Sequence, residues 1–314
     1  MFKVLCPEPE SFSKEGLDFA SNIFMLTAET MDKDLLKLNL KYFDGILIRF
    51  NTKISKELLS KNKNLRFILS PTTGLDHIDI EYCKKEKIKI YHIKNDKAFL
   101  DQLPGTAELT FALILSLLRK IPDAFESVKN GNWEVGPFRG LELSNKTIGI
   151  VGFGRLGKKV AKIALSFNMK VIFFDPFKSS TSKKIKKINE LNELLKAVDI
   201  LSLHIHLNKN THHLIGENEL SLLKKESIII NTSRGSVIDN LALLKFLEQS
   251  KIKGAALDVL EGEEGIINKK DNPLIKYSKS NNNLIITPHI GGATYESVKK
   301  SDQYVLHKFL NQNK

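Results

Sequence analysis

Cysteine is scarce: Cys6 and Cys83 are the only two in 314 residues. Neither belongs to a CxxC pair, so no disulfide framework or cysteine-based zinc knuckle is available, and no metal is expected. Cys6 closes an apolar run and reads as a small core residue. Such usage fits a reducing cytoplasm. Long hydrophobic runs are missing too. No stretch reaches the ~20 residues of a membrane span, and no apolar signal region follows the N-terminus. A cytoplasmic chain with no membrane partner is expected. There is no internal repeat of the solenoid kind.

Acidic residues are in deficit, with 36 Asp and Glu against 48 Lys and Arg, a net charge of +12. The excess is lysine spread along the whole chain. Its densest run, Lys183-Lys184-Ile185-Lys186-Lys187, is short and reads as a solvated connection. No nucleic-acid partner is expected, although the field can draw acidic substrates. Apolar residues at 42% and charged residues at 27% are those of a folded globular chain. The length suits two domains.

What is present is alternation. Strand-like runs at Phe2 to Cys6, Ile46 to Ile48 and Phe67 to Leu69 are separated by amphipathic stretches such as Asp32 to Leu40 and Ser55 to Leu59. This pattern predicts a parallel sheet covered by helices. Thr106 to Arg119 is almost wholly apolar and predicts a buried helix, either a domain connector or a subunit interface. A second series follows, with strands at Ile148 to Val151, Val171 to Phe174, Ile200 to Leu203, Ile228 to Asn231, Ala255 to Val259 and Leu284 to Thr287. Its rhythm is that of a doubly wound nucleotide-binding sheet. Thr294 to Leu310 predicts a terminal amphipathic helix.

Gly152-Phe153-Gly154-Arg155-Leu156-Gly157 follows the first strand of that series and opens a helix. Gly152 permits a tight turn, Gly154 lets backbone approach a pyrophosphate, and Gly157 lets helix pack on strand. The helix N-terminus offers N–H groups and partial positive charge to phosphate. The next strand ends at Asp175, where a carboxylate can accept from ribose hydroxyls and would repel a 2′-phosphate. The expected cofactor is NAD.

Three polar segments follow later strands: Asn231-Thr232-Ser233-Arg234-Gly235, Leu257-Asp258-Val259-Leu260-Glu261-Gly262-Glu263, and Thr287-Pro288-His289-Ile290-Gly291-Gly292. Open α/β sheets place their sites beyond such strand ends. Reduction of a 2-keto acid needs a cation for oxygen, a proton donor and a group that tunes the donor. Arginine suits the first role because its planar fork binds oxygens bidentately. Histidine suits the second, and a neighbouring carboxylate favours imidazolium.

Together these segments resemble the D-isomer-specific 2-hydroxyacid dehydrogenase family, and Thr106-Ala107-Glu108, Asn132-Trp133 and Phe138-Arg139-Gly140 add to the likeness. The resemblance implies an α/β fold of two doubly wound parallel-sheet domains. A Rossmann NAD domain, residues 103–286, would be inserted into a flavodoxin-like substrate domain, residues 1–102 and 287–314. It implies that Arg234 polarises the substrate, that His289 is the general acid or base, and that Glu263 is its partner. Glu264 stands where proline is usual and leaves a choice of glutamates. Thr106, Arg155, Leu156, His204, Thr232, Asp258 and Gly291 join the cofactor set, Asp258 near the carboxamide. The backbone of Thr73 and Gly74 would bind the substrate carboxylate, although Pro71-Thr72 replaces the commoner Ala-Gly. His206 stands where proline often lies beside the nicotinamide.

The resemblance also implies a homodimer through the NAD domain, with the helix from Thr106 as part of the interface. Arg49 resembles an arginine that reaches phosphate in phosphoglycerate dehydrogenases; a salt-bridged arginine at a strand end is the other reading. The leading expectation is therefore a 3-phosphoglycerate dehydrogenase type of enzyme. Hydroxypyruvate, glyoxylate or another sugar acid is the alternative, and so is a cofactor-sensing corepressor. A C-terminal regulatory domain with serine feedback is not expected.

Overall fold

The computed structural model describes residues 1–179, 182–263 and 269–313. The chain forms two compact units: Met1–Leu103 with Gly292–Lys314, and Pro104–Gly291.

In the first unit five strands, β1 (Lys3–Cys6), β2 (Met25–Ala28), β3 (Gly45–Leu47), β4 (Phe67–Ser70) and β5 (Lys89–His92), form an all-parallel sheet in the order β2-β1-β3-β4-β5. That is the flavodoxin-like order. Helices on both faces bury it, so β1, β3 and β4 read as continuous apolar runs rather than alternations. One face packs Leu5, Ile46, Ile48 and Ile68 against the helices that carry Leu36, Leu58 and Cys83. The other is aromatic: the Phe67 ring meets Phe2, Phe24, Tyr91 and Phe309, the last from the terminal helix Tyr295–Gln312. Side-chain caps mark several helix starts, with Ser13 accepting from Gly16 N–H and Asp32 from Asp34 and Leu35 N–H. The segment from Lys94 to Leu103 folds over its own small core of Ile93, Phe99 and Leu100, where Phe99 stacks on Tyr304 at 4.0 Å.

The second unit holds seven strands: β6 (Thr147–Val151), β7 (Lys170–Phe174), β8 (Ile185–Lys187), β9 (Ile200–Leu203), β10 (Ile228–Asn231), β11 (Gly254–Leu257) and β12 (Leu284–Ile286). All pair in parallel, in the order β12-β11-β10-β9-β6-β7-β8. The order reverses at β6, and the switch point lies beside the glycine turn at its carboxyl end. Cores cover both faces, one built on Leu194, Leu201, Ile229 and Leu243, the other on Phe111, Ile114, Ile150 and Ile230.

Several expectations need correction. β2, β5 and β8 do not announce themselves as apolar runs, and β8 occupies the basic stretch expected to be a solvated connection. Each is an edge strand, so one side needs no partner and its side chains stay partly exposed. Residues 287–291, expected with the first unit, belong to the second. The Asp258 carbonyl accepts from His289 N–H at 2.8 Å, and the Asp258 carboxylate holds the following two N–H groups. The apolar helix Gly105–Leu118 spends Ala107, Phe111, Leu113, Ile114 and Leu118 on the core of its own unit.

Candidate active site

The glycine turn leads from β6 into the helix Arg155–Ser166. Gly152 has φ 91°, and a side chain there would strike the His204 carbonyl. A Cβ on Gly157 would strike the carbonyl of Gly152, so helix and turn are in direct backbone contact. Gly154 caps the helix, and a Cβ on it would meet nothing within 4 Å. The first turn of this helix, which includes Arg155 and Leu156, thus starts beside open space. Asp175 follows β7 and ties the turn down: Oδ2 accepts from Phe153 N–H and Oδ1 from Phe177 N–H, both at 2.8 Å.

His204 follows β9 with Nε2 2.8 Å from Ser202 Oγ. Its Nδ1 is buried without a hydrogen-bond partner among the described residues. Burial pushes the imidazole down to about 4, so it is neutral at physiological pH. Thr110 Oγ1 donates to the Thr106 carbonyl at 2.8 Å and takes the Thr232 hydroxyl at 3.0 Å. An open helix N-terminus, an acid at the next strand end and an unpartnered buried nitrogen at the same strand ends fit a dinucleotide.

The catalytic candidates lie past β10, β11 and β12. Asn231 Oδ1 accepts from Ser233 N–H at 3.0 Å and Ser233 Oγ at 2.8 Å, and its Nδ2 donates to the Arg234 carbonyl at 2.9 Å. This bracket fixes the turn on which half-buried Arg234 stands, with Nη1 donating to the Ser233 carbonyl at 2.7 Å. Asp258 is buried. Its Oδ1 accepts from Thr287 Oγ1 at 2.6 Å and Ile290 N–H at 2.8 Å, and its Oδ2 from Gly291 N–H at 2.7 Å. Burial pushes this carboxyl up, against the pull of those donors.

The bracket around Asp258 holds His289 at φ 57°, a left-handed conformation uncommon outside glycine. Such strain collects where a side chain must be aimed. His289 Nδ1 lies 2.5 Å from Glu263 Oε1, and Glu263 Oε2 accepts from Leu260 N–H at 3.0 Å. Burial alone would raise Glu263. The hydrogen bond and charge of His289, the Leu260 N–H and the charge of Arg234 outweigh it and hold the carboxyl below its usual range. Arg234, Glu263 and His289 are therefore brought together. Glu264, the other candidate partner, lies outside the described residues.

In the first unit the loop after β4 is braced internally. Thr72 Oγ1 donates to the Gly74 carbonyl and contacts Ser70 Oγ, each at 2.8 Å. Thr73 and Gly74 sit on this loop, and among the described residues neither N–H is engaged. Arg49, after β3, is held in an ion pair. Its Nη2 is 2.5 Å from Asp302 Oδ1, with side chains 11% and 1% exposed, and it also donates to the Val298 carbonyl at 3.3 Å. The guanidinium lies over Phe12, and buried Glu8 accepts the Arg49 N–H at 2.9 Å. Of the two readings of Arg49, the salt-bridged one describes this geometry.

Sequence reasoning missed Thr110, Thr287 and Asp302. Each is an ordinary helix or loop residue whose partner lies 122, 29 or 253 positions away. No local spacing could have singled them out.

The second unit is thus a dinucleotide-binding domain with an arginine, a carboxylate and a histidine at its strand ends. The profile described as "D-isomer specific 2-hydroxyacid dehydrogenase, NAD binding domain" matches residues 111–291. The chain belongs to that family. A D-3-phosphoglycerate dehydrogenase of Methanocaldococcus jannaschii is 34% identical over 312 residues, 98% of this chain. The chain spans only 57% of that relative. A glyoxylate reductase of Thermococcus litoralis is 40% identical over 263 residues, 81% of this chain and 76% of that one. The crystal structure of an Aquifex aeolicus D-lactate dehydrogenase, complexed with NAD and lactic acid, is 34% identical. It covers 98% of this chain and 94% of its own, with a TM-score of 0.83.

Proposed function

We propose that this chain is an NAD-dependent oxidoreductase that interconverts a small D-2-hydroxy acid and its 2-keto acid, and that the acid carries no phosphate. The observation that carries the first statement is the His289–Glu263 pair at 2.5 Å beside Arg234. When bound, the nicotinamide supplies or accepts the hydride. The chain's own groups do the rest. Glu263 takes Nδ1 of His289, so Nε2 is the atom that gives a proton to the keto oxygen in reduction and takes it back in oxidation. Arg234 binds the same oxygen or the carboxylate with its planar fork. Asp258 positions His289 through Thr287, Ile290 and Gly291. Asp175 takes the ribose hydroxyls of NAD, and Thr106, Arg155, Leu156, His204, Thr232 and Gly291 line the rest of the cofactor path.

Arg49 supports the second statement. Its Nη2 is committed to the buried Asp302 carboxylate and the Val298 carbonyl, so a phosphate would compete with that ion pair. The reading therefore moves from the phosphoglycerate type to the hydroxypyruvate and glyoxylate type. The test is NADH oxidation against hydroxypyruvate, glyoxylate and phosphohydroxypyruvate. The first two should be favoured in kcat/KM. A strong preference for phosphohydroxypyruvate would refute the phosphate-free reading and keep the mechanism.

We also propose a homodimer, with the helix after the one from Thr106 at its interface. The helix Ile121–Lys129 leaves Ile121, Phe125 and Val128 exposed on one stripe, and Trp133 and Val135 beyond it are exposed too. An exposed apolar stripe of this kind suits an association surface, and a second copy of it would cover it.

A further inference from the structure

Two adjacent histidines beyond β9 take no part in the mechanism above. Residues 208–213 form a tight turn: Asn208 N–H donates to Thr211 Oγ1 at 2.8 Å, and Thr211 Oγ1 donates to the His206 carbonyl at 2.7 Å. His213 leaves this turn at φ 50°, with its N–H bonded to the Ser236 carbonyl at 2.8 Å. The left-handed backbone lays the two imidazoles over one another, with centroids 4.0 Å apart and planes 27° apart. Both Nε2 atoms approach one carboxylate oxygen. His213 Nε2 is 2.8 Å and His212 Nε2 is 3.6 Å from Glu261 Oε1.

The ligand atoms of these three residues all lie within 4.8 Å of one another. A tetrahedral ion with nitrogen and oxygen ligands at about 2.0–2.1 Å spaces its donors about 3.3 Å apart. The two observed separations from the carboxylate oxygen straddle that spacing. Two imidazoles and one carboxylate form a donor set suited to zinc-class ions and poorly suited to magnesium or calcium. The side chains are 53%, 35% and 33% exposed for His212, His213 and Glu261, which leaves a route in and room for water as a fourth ligand. Cysteine and histidine spacing could not reveal such a site, because Glu261 lies 48 positions beyond His213.

We propose that His212, His213 and Glu261 form a binding site for a zinc-class divalent cation, with water completing its shell. Glu261 stands two residues before Glu263, on the turn whose Leu260 N–H holds the Glu263 carboxylate. An ion that fixes Glu261 therefore restrains the partner of His289, and occupation lowers turnover. Only this second clause rests on the proposed dehydrogenase function.

The experiment is calorimetric titration of the full chain with zinc chloride, beside the His212→Ala and Glu261→Gln variants, with magnesium chloride as the control. His212 is largely exposed, and circular dichroism and NADH binding check that each variant is folded. One zinc per chain is expected, at least tenfold weaker in both variants, with no magnesium binding. Zinc that binds all three proteins equally, or does not bind the wild type, overturns the site. Zinc binding that His289→Ala abolishes and His212→Ala leaves intact assigns the ion to the catalytic pair, and overturns it too. For the second clause, zinc should slow wild-type NADH oxidation and spare His212→Ala. Binding without any effect on turnover overturns the coupling to Glu263 and leaves the dehydrogenase reading untouched.

Discussion

Glu263 carries a stability signature that can be checked apart from activity. Its carboxyl lies below the ordinary value of 4.5 in the folded chain. Its contribution is therefore complete above 4.5 and drains as pH falls through the lowered folded value. Asp258 and Asp302, raised by burial, have the opposite sign. Urea unfolding of Glu263→Gln should show a shallower loss of stability than wild type as pH falls below 4.5. An unchanged slope would mean that the pair with His289 does not form in solution. Arg49→Ala belongs to the same scale. Breaking a buried pair by removing one partner costs about 3–5 kcal/mol. The variant should lose urea stability of that order and show no selective loss toward phosphorylated acids. Much of the candidate site was legible at this scale, since Arg234, Asp258 and His289 each follow a readable strand. The pairings were not. That Glu263 faces His289 came from resemblance, and nothing near Arg49 in sequence points to Asp302, 253 positions away.

Among elements, the buried strands and the edge strand β12 were legible, and the other three edges were not. β6, β9 and β10 are sealed on both faces and appear as apolar runs. β2, β5 and β8 sit at sheet margins with mixed side chains, and only pairing with a neighbour identifies them. The turns at the strand ends fit one another as closely as the strands do. A Cβ on Gly235 would strike the backbone of Leu260 and Glu261, which cannot yield as a side chain could. Gly235→Ala should displace the 260–263 turn, cost about 1–3 kcal/mol as an overpacked site does, and lower kcat by misplacing Glu263. A variant with wild-type urea midpoint and turnover would show that the two turns are not in contact.

For the whole molecule, two parallel sheets of different strand order could be expected from alternation and resemblance together. The position of the proposed association surface could not. Apolar composition drew attention to the helix Gly105–Leu118, which gives five side chains to the core of its own unit. The exposed stripe lies on the next helix, whose composition is mixed and whose apolar residues align only through helical spacing. Replacing Phe125 and Trp133 together by Glu should give a monomer in analytical ultracentrifugation while leaving NADH binding intact. A persistent dimer would place the interface elsewhere.

In the proposed mechanism His289 moves the proton while other parts of the chain hold the cofactor. Its most direct test is turnover of hydroxypyruvate by wild type and His289→Ala, alongside NADH affinity measured by fluorescence. Loss of a positioned general acid lowers rates by roughly 10²–10⁴-fold. In His289→Ala, kcat should fall by that factor with NADH affinity unchanged. A variant that keeps wild-type kcat, or one that loses NADH binding along with turnover, would contradict it.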